Sequence, residues 1–183
     1  GLIDENHSEK SRIKNAYLEP QGKANPKAIK SIEESDYIVI GPGDLYTSII
    51  PVLLVRGVKE AMRKSKAKIV YIMNMMTKSG QTTSYKAFDH VADLVKYLGR
   101  EPEVVLINNG EISSDILSSY EHYNEVKVVN DLNKNGYQII ERDLVDITKV
   151  EKNSSDILYR SILRHDSEKV AKTLIKIFDR VRP

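Results

Sequence analysis

Short, almost uninterrupted apolar runs alternate along this chain with segments whose apolar residues recur every three or four positions. The runs Ile38-Val39-Ile40, Ile69-Val70-Tyr71-Ile72-Met73 and Val104-Val105-Leu106-Ile107 lack the in-out alternation of a half-exposed sheet. Such continuity is expected of strands covered on both faces of a parallel sheet. Strands are therefore expected over residues 12–18, 36–40, 68–73, 103–108, 125–129 and 138–142. Helices are expected between them. Asn25-Pro26 pairs an N-capping side chain with proline at the first helical position, opening a helix to about Glu34. A second helix is expected over 58–66 and a third over 84–98, where Phe88, Val91, Ala92, Val95 and Leu98 repeat and Gly99 stops it. A fourth is expected over 112–123. The last opens at Asp166 and carries Val170, Leu174, Ile177, Phe178 and Val181 on one face. Strand–helix alternation implies right-handed crossovers and a three-layer α/β sandwich with a mostly parallel sheet. The polar stretch 149–156 reads as a loop, and no repeat or linker interrupts the pattern, so residues 1–183 are expected to form a single α/β domain.

Composition narrows the function classes. The 183 residues carry 28 basic against 26 acidic side chains, a net charge of +2, with 40% hydrophobic and 30% charged residues. That balance argues against a nucleic-acid partner or an anionic membrane surface. The basic cluster at 63–68 reads as the solvated end of a helix, where cations complement the macrodipole. With no cysteine, disulfides, thiolate nucleophiles and cysteine metal sites are excluded. No long apolar run and no signal-peptide pattern stand in the sequence, so a cytoplasmic location is the expectation. The chain begins without methionine, which points to truncation or processing.

Candidate chemistry lies in the loops that follow the apolar runs. The first is Gly41-Pro42-Gly43-Asp44-Leu45-Tyr46-Thr47-Ser48, which breaks on glycines and enters a helix. Glycine admits a ligand close to the backbone, and first-turn N–H groups point at an anion. The second is Asn74 to Thr83, containing Thr77, Lys78 and Thr82; the third is Asn108-Asn109-Gly110. In a parallel sheet all three emerge at the carboxyl edge, where open α/β sheets bind ligands.

Single residues carry two readings each. Thr47 and Ser48 offer hydroxyls to a phosphate or sugar, or cap a first turn. Asp44 is expected to cap the helix, and its carboxylate would repel a phosphate docked there. Lys78 is a counter-charge or an exposed loop lysine. Asp89-His90 is a helix-surface pair in preference to a general base. Arg164, just before the helix that Asp166 opens, is an anion fork, or an ion-pair partner of Asp166 or Glu168. Tyr120 and Tyr123 could stack on a base or belong to the core. His7, His90, His122 and His165 show no metal-ligand spacing, and neither a nucleophile elbow nor a Walker loop is present, so no catalytic residue and no metal site are assigned.

The continuation Gly41-Pro42-Gly43-Asp44-Leu45-Tyr46-Thr47-Ser48-Ile49-Ile50-Pro51 resembles the signature of the gluconeogenesis factor (YvcK-like) family, related to 2-phospho-L-lactate transferase (CofD-like). The likeness continues through Asn74-Met75-Met76-Thr77, Gly80-Gln81-Thr82, Asp89-His90-Val91 and Leu163-Arg164-His165-Asp166, in the family's order. The resemblance implies a Rossmann-like α/β fold. It implies a regulatory protein that binds a UDP-sugar, UDP-N-acetylglucosamine, and acts on carbon metabolism, cell shape and envelope synthesis without established catalysis. Arg164 and a tyrosine of the Tyr120–Tyr123 region are carried over as UDP-sugar contacts. The CofD-like branch implies instead transfer of a phospholactyl group from a guanosine-linked donor to a deazaflavin, with Mg2+. The chain departs from the family at Asp44 (usually serine), Val52 (usually asparagine) and Gln81 (usually glutamate). The family's Gly-Gly-Gly-Thr-Gly loop and Asp-Asp-Gly-Gly-Ser-Ser-Gly segment do not occur in it, so a C-terminal portion lacking the N-terminal strand or strands is expected. The ligand expected is thus a nucleotide-type small molecule, a UDP-sugar or a dinucleotide. It would lie against Gly41, Gly43, Asp44, Thr47, Ser48, Asn74, Thr77, Thr82, Tyr120, Tyr123 and Arg164. Neither nucleic acid nor membrane is an expected partner, and a homo-oligomer is compatible with the sequence.

Overall fold

The uninterrupted apolar runs become the middle of a sheet. The computed structural model describes residues 12–133, 136–146 and 163–180. Strands β1 (Tyr37–Ile40), β2 (Lys68–Ile72), β3 (Val104–Asn108) and β4 (Gln138–Arg142) are all parallel and adjacent in chain order, β1-β2-β3-β4. Val39 lies opposite Val70, and Ile72 opposite Leu106, which in turn faces Ile140. Among the described residues β1 pairs only with β2, so it forms one edge of the sheet.

Each sheet face has its own cover, which is why the strands read as continuously apolar. On one face Ile69, Tyr71, Met73 and Val105 pack against α1 (Pro26–Glu34), α2 (Ile50–Leu53), α3 (Val58–Lys64) and α4 (Ala87–Leu98). On the other, Val70, Ile72, Val104, Leu106 and Ile140 meet α6 (Ser167–Arg180) through Leu174, Ile177 and Phe178. Helix, sheet and helix give the expected three-layer α/β sandwich. The remaining helix, α5 (Ser114–Glu121), belongs to neither layer. It joins Met75, Met76, Val145 and Leu163 in a small apolar cluster.

Several local expectations hold. Asn25 Oδ1 accepts the Lys27 N–H at 2.9 Å with Pro26 at the first helical position. Gly99, at φ +83°, ends α4 in the left-handed conformation. Asp166 Oδ1 accepts the Lys169 N–H at 2.9 Å where α6 opens. Arg63 and Lys64 are exposed in the last turn of α3.

Others are corrected. Residues 12–18 form no strand. Ile13 and Ala16 pack on the core, and the Ala16 N–H donates to the Tyr97 hydroxyl at 2.8 Å, so the segment is fastened by side chains of α4 rather than by a ladder. Residues 125–129 do not join the sheet; they run antiparallel to the loop after β2, with Lys127 opposite Met76. The third helix starts at Ala87, and its buried stripe is Ala87, His90, Val91, Leu94, Tyr97 and Leu98, leaving Phe88 56% exposed. The helix over 58–66 stops at Lys64, because the Ser65 hydroxyl donates to the Ile32 carbonyl at 2.7 Å and pulls the chain out of the helical path. The expected loop at 149–156 and Val181 lie outside the described residues.

Candidate functional site

The exit of β1 is shaped by one close approach. At Gly41 φ is +86°, and a Cβ there would stand 2.7 Å from the Ile72 carbonyl oxygen, so a side chain is excluded on both counts. Beyond it the Asp44 carbonyl accepts the N–H groups of both Ser48 and Ile49, at 2.9 and 3.1 Å. This double bond opens a wide π-type turn over Leu45–Ile49 that runs into α2. The Asp44 carboxylate makes no capping bond, contrary to the sequence expectation, and accepts the Thr47 hydroxyl at 3.3 Å instead.

Four further segments close on this loop. Asn74 Oδ1 accepts the Gly43 N–H at 3.3 Å, joining the loops after β1 and β2. Thr77 is clamped to Val126, its N–H donating to the Val126 carbonyl and its Oγ1 accepting the Val126 N–H, each at 2.8 Å. That clamp carries Glu125, 4% exposed, to the Lys78 ammonium at 2.9 Å. Helix α5 brings Tyr120, whose hydroxyl accepts the Leu163 N–H at 3.1 Å. The Leu163–His165 strip is held by a Val145–His165 bridge and by the Asp146 N–H donating to the Arg164 carbonyl.

The result is a crevice of about 360 Å³ lined by Pro42, Gly43, Asp44, Asn74, Met75, Met76, Thr77, Lys78, Tyr120, Glu125, Leu163, Arg164 and His165. That volume is in the range of small-ligand sites. Of the residues expected from the sequence, Gly43, Asp44, Asn74, Thr77, Tyr120 and Arg164 line it together. Gly41 does not line it. Thr47 and Ser48 sit in the π-type turn and do not line it, and Thr82 is buried with Oγ1 accepting the Lys78 N–H at 2.8 Å. Tyr123 is 49% exposed and away from the lining, so it is Tyr120 that stands at the crevice. The third loop is structural: Asn108 Oδ1 accepts the N–H groups of Gly110 and Leu144, at 3.1 and 2.8 Å.

The charges are disposed unevenly. Arg164 is exposed and, among the described residues, paired with neither candidate carboxylate: Asp166 caps α6 and Glu168 bonds Lys172. Lys78 is committed to Glu125. His165 has its pKa lowered by burial, partly offset by a hydrogen bond to the Met73 backbone, and its Nε2 is buried without a partner. The Asp89-His90 pair is not a surface pair. Asp89 accepts the Lys86 N–H at 3.0 Å and pairs with Arg12, whereas His90 is fully buried with both ring nitrogens unpartnered. Sequence reasoning missed two polar lining groups, Glu125 and His165. His165 stood inside the Leu163-Arg164-His165-Asp166 motif and was passed over for its neighbour; Glu125 was hidden by reading its segment as a sheet strand.

The sequence model of 2-phospho-L-lactate transferase CofD matches residues 2–145, most of the chain. The chain belongs to the CofD family. The gluconeogenesis factor of Bacillus subtilis is 37% identical over 171 residues, covering 91% of this chain and 50% of its own length. A relative in Thermotoga maritima, provisionally given the same name, is 39% identical over 155 residues, covering 84% of this chain and 48% of its own. Among solved structures, a UPF0052 family member of Bacillus halodurans superposes with a TM-score of 0.77 at 32% identity, over 90% of this chain and 50% of that one. This CofD-family chain thus spans about half the length of these relatives. Among the described residues no helix is long and apolar enough to cross a membrane. Nor do three acidic or histidine side chains converge there to hold a metal. A Mg2+ ion would meet Asp44 and a Glu125 already neutralised by Lys78, which is not a ligand set for it.

Proposed function

We propose that the crevice binds a nucleotide-sugar, UDP-N-acetylglucosamine, and that the chain is the ligand-binding part of a cytoplasmic regulatory protein of the gluconeogenesis factor type, linked to carbon metabolism and cell shape. The observation that carries this reading is Arg164. Its guanidinium stands exposed at a crevice whose other polar groups are neutral, paired or acidic, so among the described residues it is the cation that an anionic group of the ligand would meet. A diphosphate matches the guanidinium fork. The naming of relatives at 37–39% identity as gluconeogenesis factors supports the assignment to that type. Asp44 refines it: a carboxylate in the wall disfavours a phosphate beside the Gly43 backbone and favours hydroxyl groups there.

Calorimetry with UDP-N-acetylglucosamine tests the proposal. Arg164→Ala is expected to weaken binding by about 1.5–3 kcal/mol, the usual loss of a charge-assisted bond. Binding indifferent to that substitution would remove Arg164 from the site. The match to the transferase family favours a second reading, phospholactyl transfer from a guanosine-linked donor. Turnover of such a donor, with no affinity for the UDP-sugar, would decide for it.

A further inference from the structure

We infer that Glu125 sets the charge this crevice accepts: by holding Lys78 in a neutral pair, it restricts the site to a nucleotide whose diphosphate is joined to an uncharged sugar. The inference rests on the crevice being a nucleotide-sugar site and names the class of sugar it takes. The pair is built by the backbone around it. Thr77 and Val126 are clamped together by two bonds of 2.8 Å, and Lys78 and Glu125 are their immediate neighbours in the chain. The Lys78 N–H donates to the Thr82 hydroxyl oxygen and the Lys78 carbonyl accepts the Thr82 N–H, each at 2.8 Å. The Glu125 N–H donates to the Tyr120 carbonyl at 3.2 Å, and Glu125 Oε1 accepts the Ser79 N–H at 3.5 Å. With both backbones fixed, Lys78 Nζ meets Glu125 Oε1 at 2.9 Å. The glutamate side chain is only 5% exposed, whereas that of the lysine is 40% exposed. A carboxylate taken so far out of water holds its cation, so Lys78 stays with Glu125 when a ligand enters.

A charge count of the lining then fixes what the ligand can carry. The charged side chains at the crevice are Asp44, Lys78, Glu125 and Arg164, and burial lowers the pKa of His165, keeping it neutral. Lys78 and Glu125 cancel, and Arg164 answers the diphosphate. Asp44 keeps its charge beside the Thr47 hydroxyl at 3.3 Å. A second anionic group on the ligand therefore meets, among the described residues, a carboxylate and no spare cation. In a cavity of about 360 Å³ it cannot be screened from these charges, because the Debye length at physiological salt is ~8 Å. A sugar acid is refused and a neutral sugar accepted, by an unanswered charge rather than by shape. Neutralising Glu125 reverses the choice, since Lys78 is then a second cation at the crevice.

Two variants separate this charge role from a packing role. Glu125→Gln keeps the shape and an oxygen for the Ser79 N–H but frees Lys78. Lys78→Met combined with Glu125→Gln makes the same change at Glu125 and removes the cation as well, so the pair position is again neutral. Calorimetry on the 183-residue chain compares UDP-N-acetylglucosamine with UDP-glucuronate, whose sugar carries a carboxylate, and GDP with GTP, which differ by one phosphate. The quantity read is the affinity ratio within each couple, whatever the absolute affinities. The parent is expected to bind UDP-glucuronate at least tenfold more weakly than UDP-N-acetylglucosamine. Glu125→Gln should narrow that ratio at least fivefold, and the double variant should return it to within about twofold of the parent. A parent that binds both sugars alike, a ratio unmoved in Glu125→Gln, or a double variant shifted as far as the single one would overturn the inference. If only the guanosine nucleotides bind, and Glu125→Gln shifts their ratio toward GTP, the UDP-sugar reading fails and the charge role of Glu125 stands. If no nucleotide binds, both fail.

Discussion

His90 makes the fold sensitive to acid, by an amount the structure allows to be worked out. The ring is fully buried in the apolar stripe of α4, edge-on to Tyr85 at 5.5 Å, and neither nitrogen has a partner. Burial lowers its pKa from 6.5 to about 4, with Asp89 and Asp93 opposing the shift through their charges. The folded state therefore refuses a proton that the unfolded chain accepts between those two values. Stability from this residue is complete above pH 6.5 and is lost as pH falls toward 4. The full loss is about 3 kcal/mol, at 1.36 kcal/mol per pKa unit, and about 2.5 kcal/mol of it has gone by pH 4.5. Against a total stability of roughly 5–15 kcal/mol this is a large share. Urea unfolding of the parent and of His90→Leu at pH 7.5 and 4.5 measures it. The variant should lose about 2.5 kcal/mol less than the parent over that interval, whatever His165 and the carboxylates contribute to both. Equal losses in the two proteins would show that His90 is hydrated or partnered in solution, and would refute the argument.

Two further outcomes follow from packing around the crevice. Gly41→Ala meets both a left-handed backbone and the Ile72 carbonyl, and should destabilise by about 1–3 kcal/mol or more, seen as a fall of several degrees in Tm. Lys78→Ala leaves Glu125 buried and unpaired; it should cost about 1–3 kcal/mol in urea unfolding, and adding Glu125→Gln should recover part of that.

The layered fold was legible because burial on both faces writes itself into sequence as runs such as Val104-Val105-Leu106-Ile107, and because Asn25, Gly99 and Asp166 act through their immediate neighbours. Tertiary pairing left weaker traces. The apolar residues of 125–129 look like those of a sheet strand, yet their partners are the backbone groups of Met75 and Thr77, a choice made by the chain's path around the carboxyl edge. Residues 12–18 fail as a strand because side chains of α4 take up their backbone groups. The crevice was half visible. Loop composition pointed to Gly43, Asn74 and Thr77, and motif likeness to Arg164 and Tyr120. Glu125 and His165 could be placed only once the fold had brought distant segments together. Asp44 shows the limit of local rules: the usual capping pattern gave way when the turn widened.

Strand β1 bears on how the chain behaves at high concentration. Its four residues, Tyr37-Ile38-Val39-Ile40, carry no charge, and Val39 is 40% exposed. Among the described residues its ladder runs to β2 alone. A short, neutral, β-branched edge of this kind is a template for pairing with another chain, since neither lysine nor proline within it blocks the approach. A charged residue at position 39, as in Val39→Lys, is expected to reduce any concentration-dependent association of the 183-residue chain, read by sedimentation.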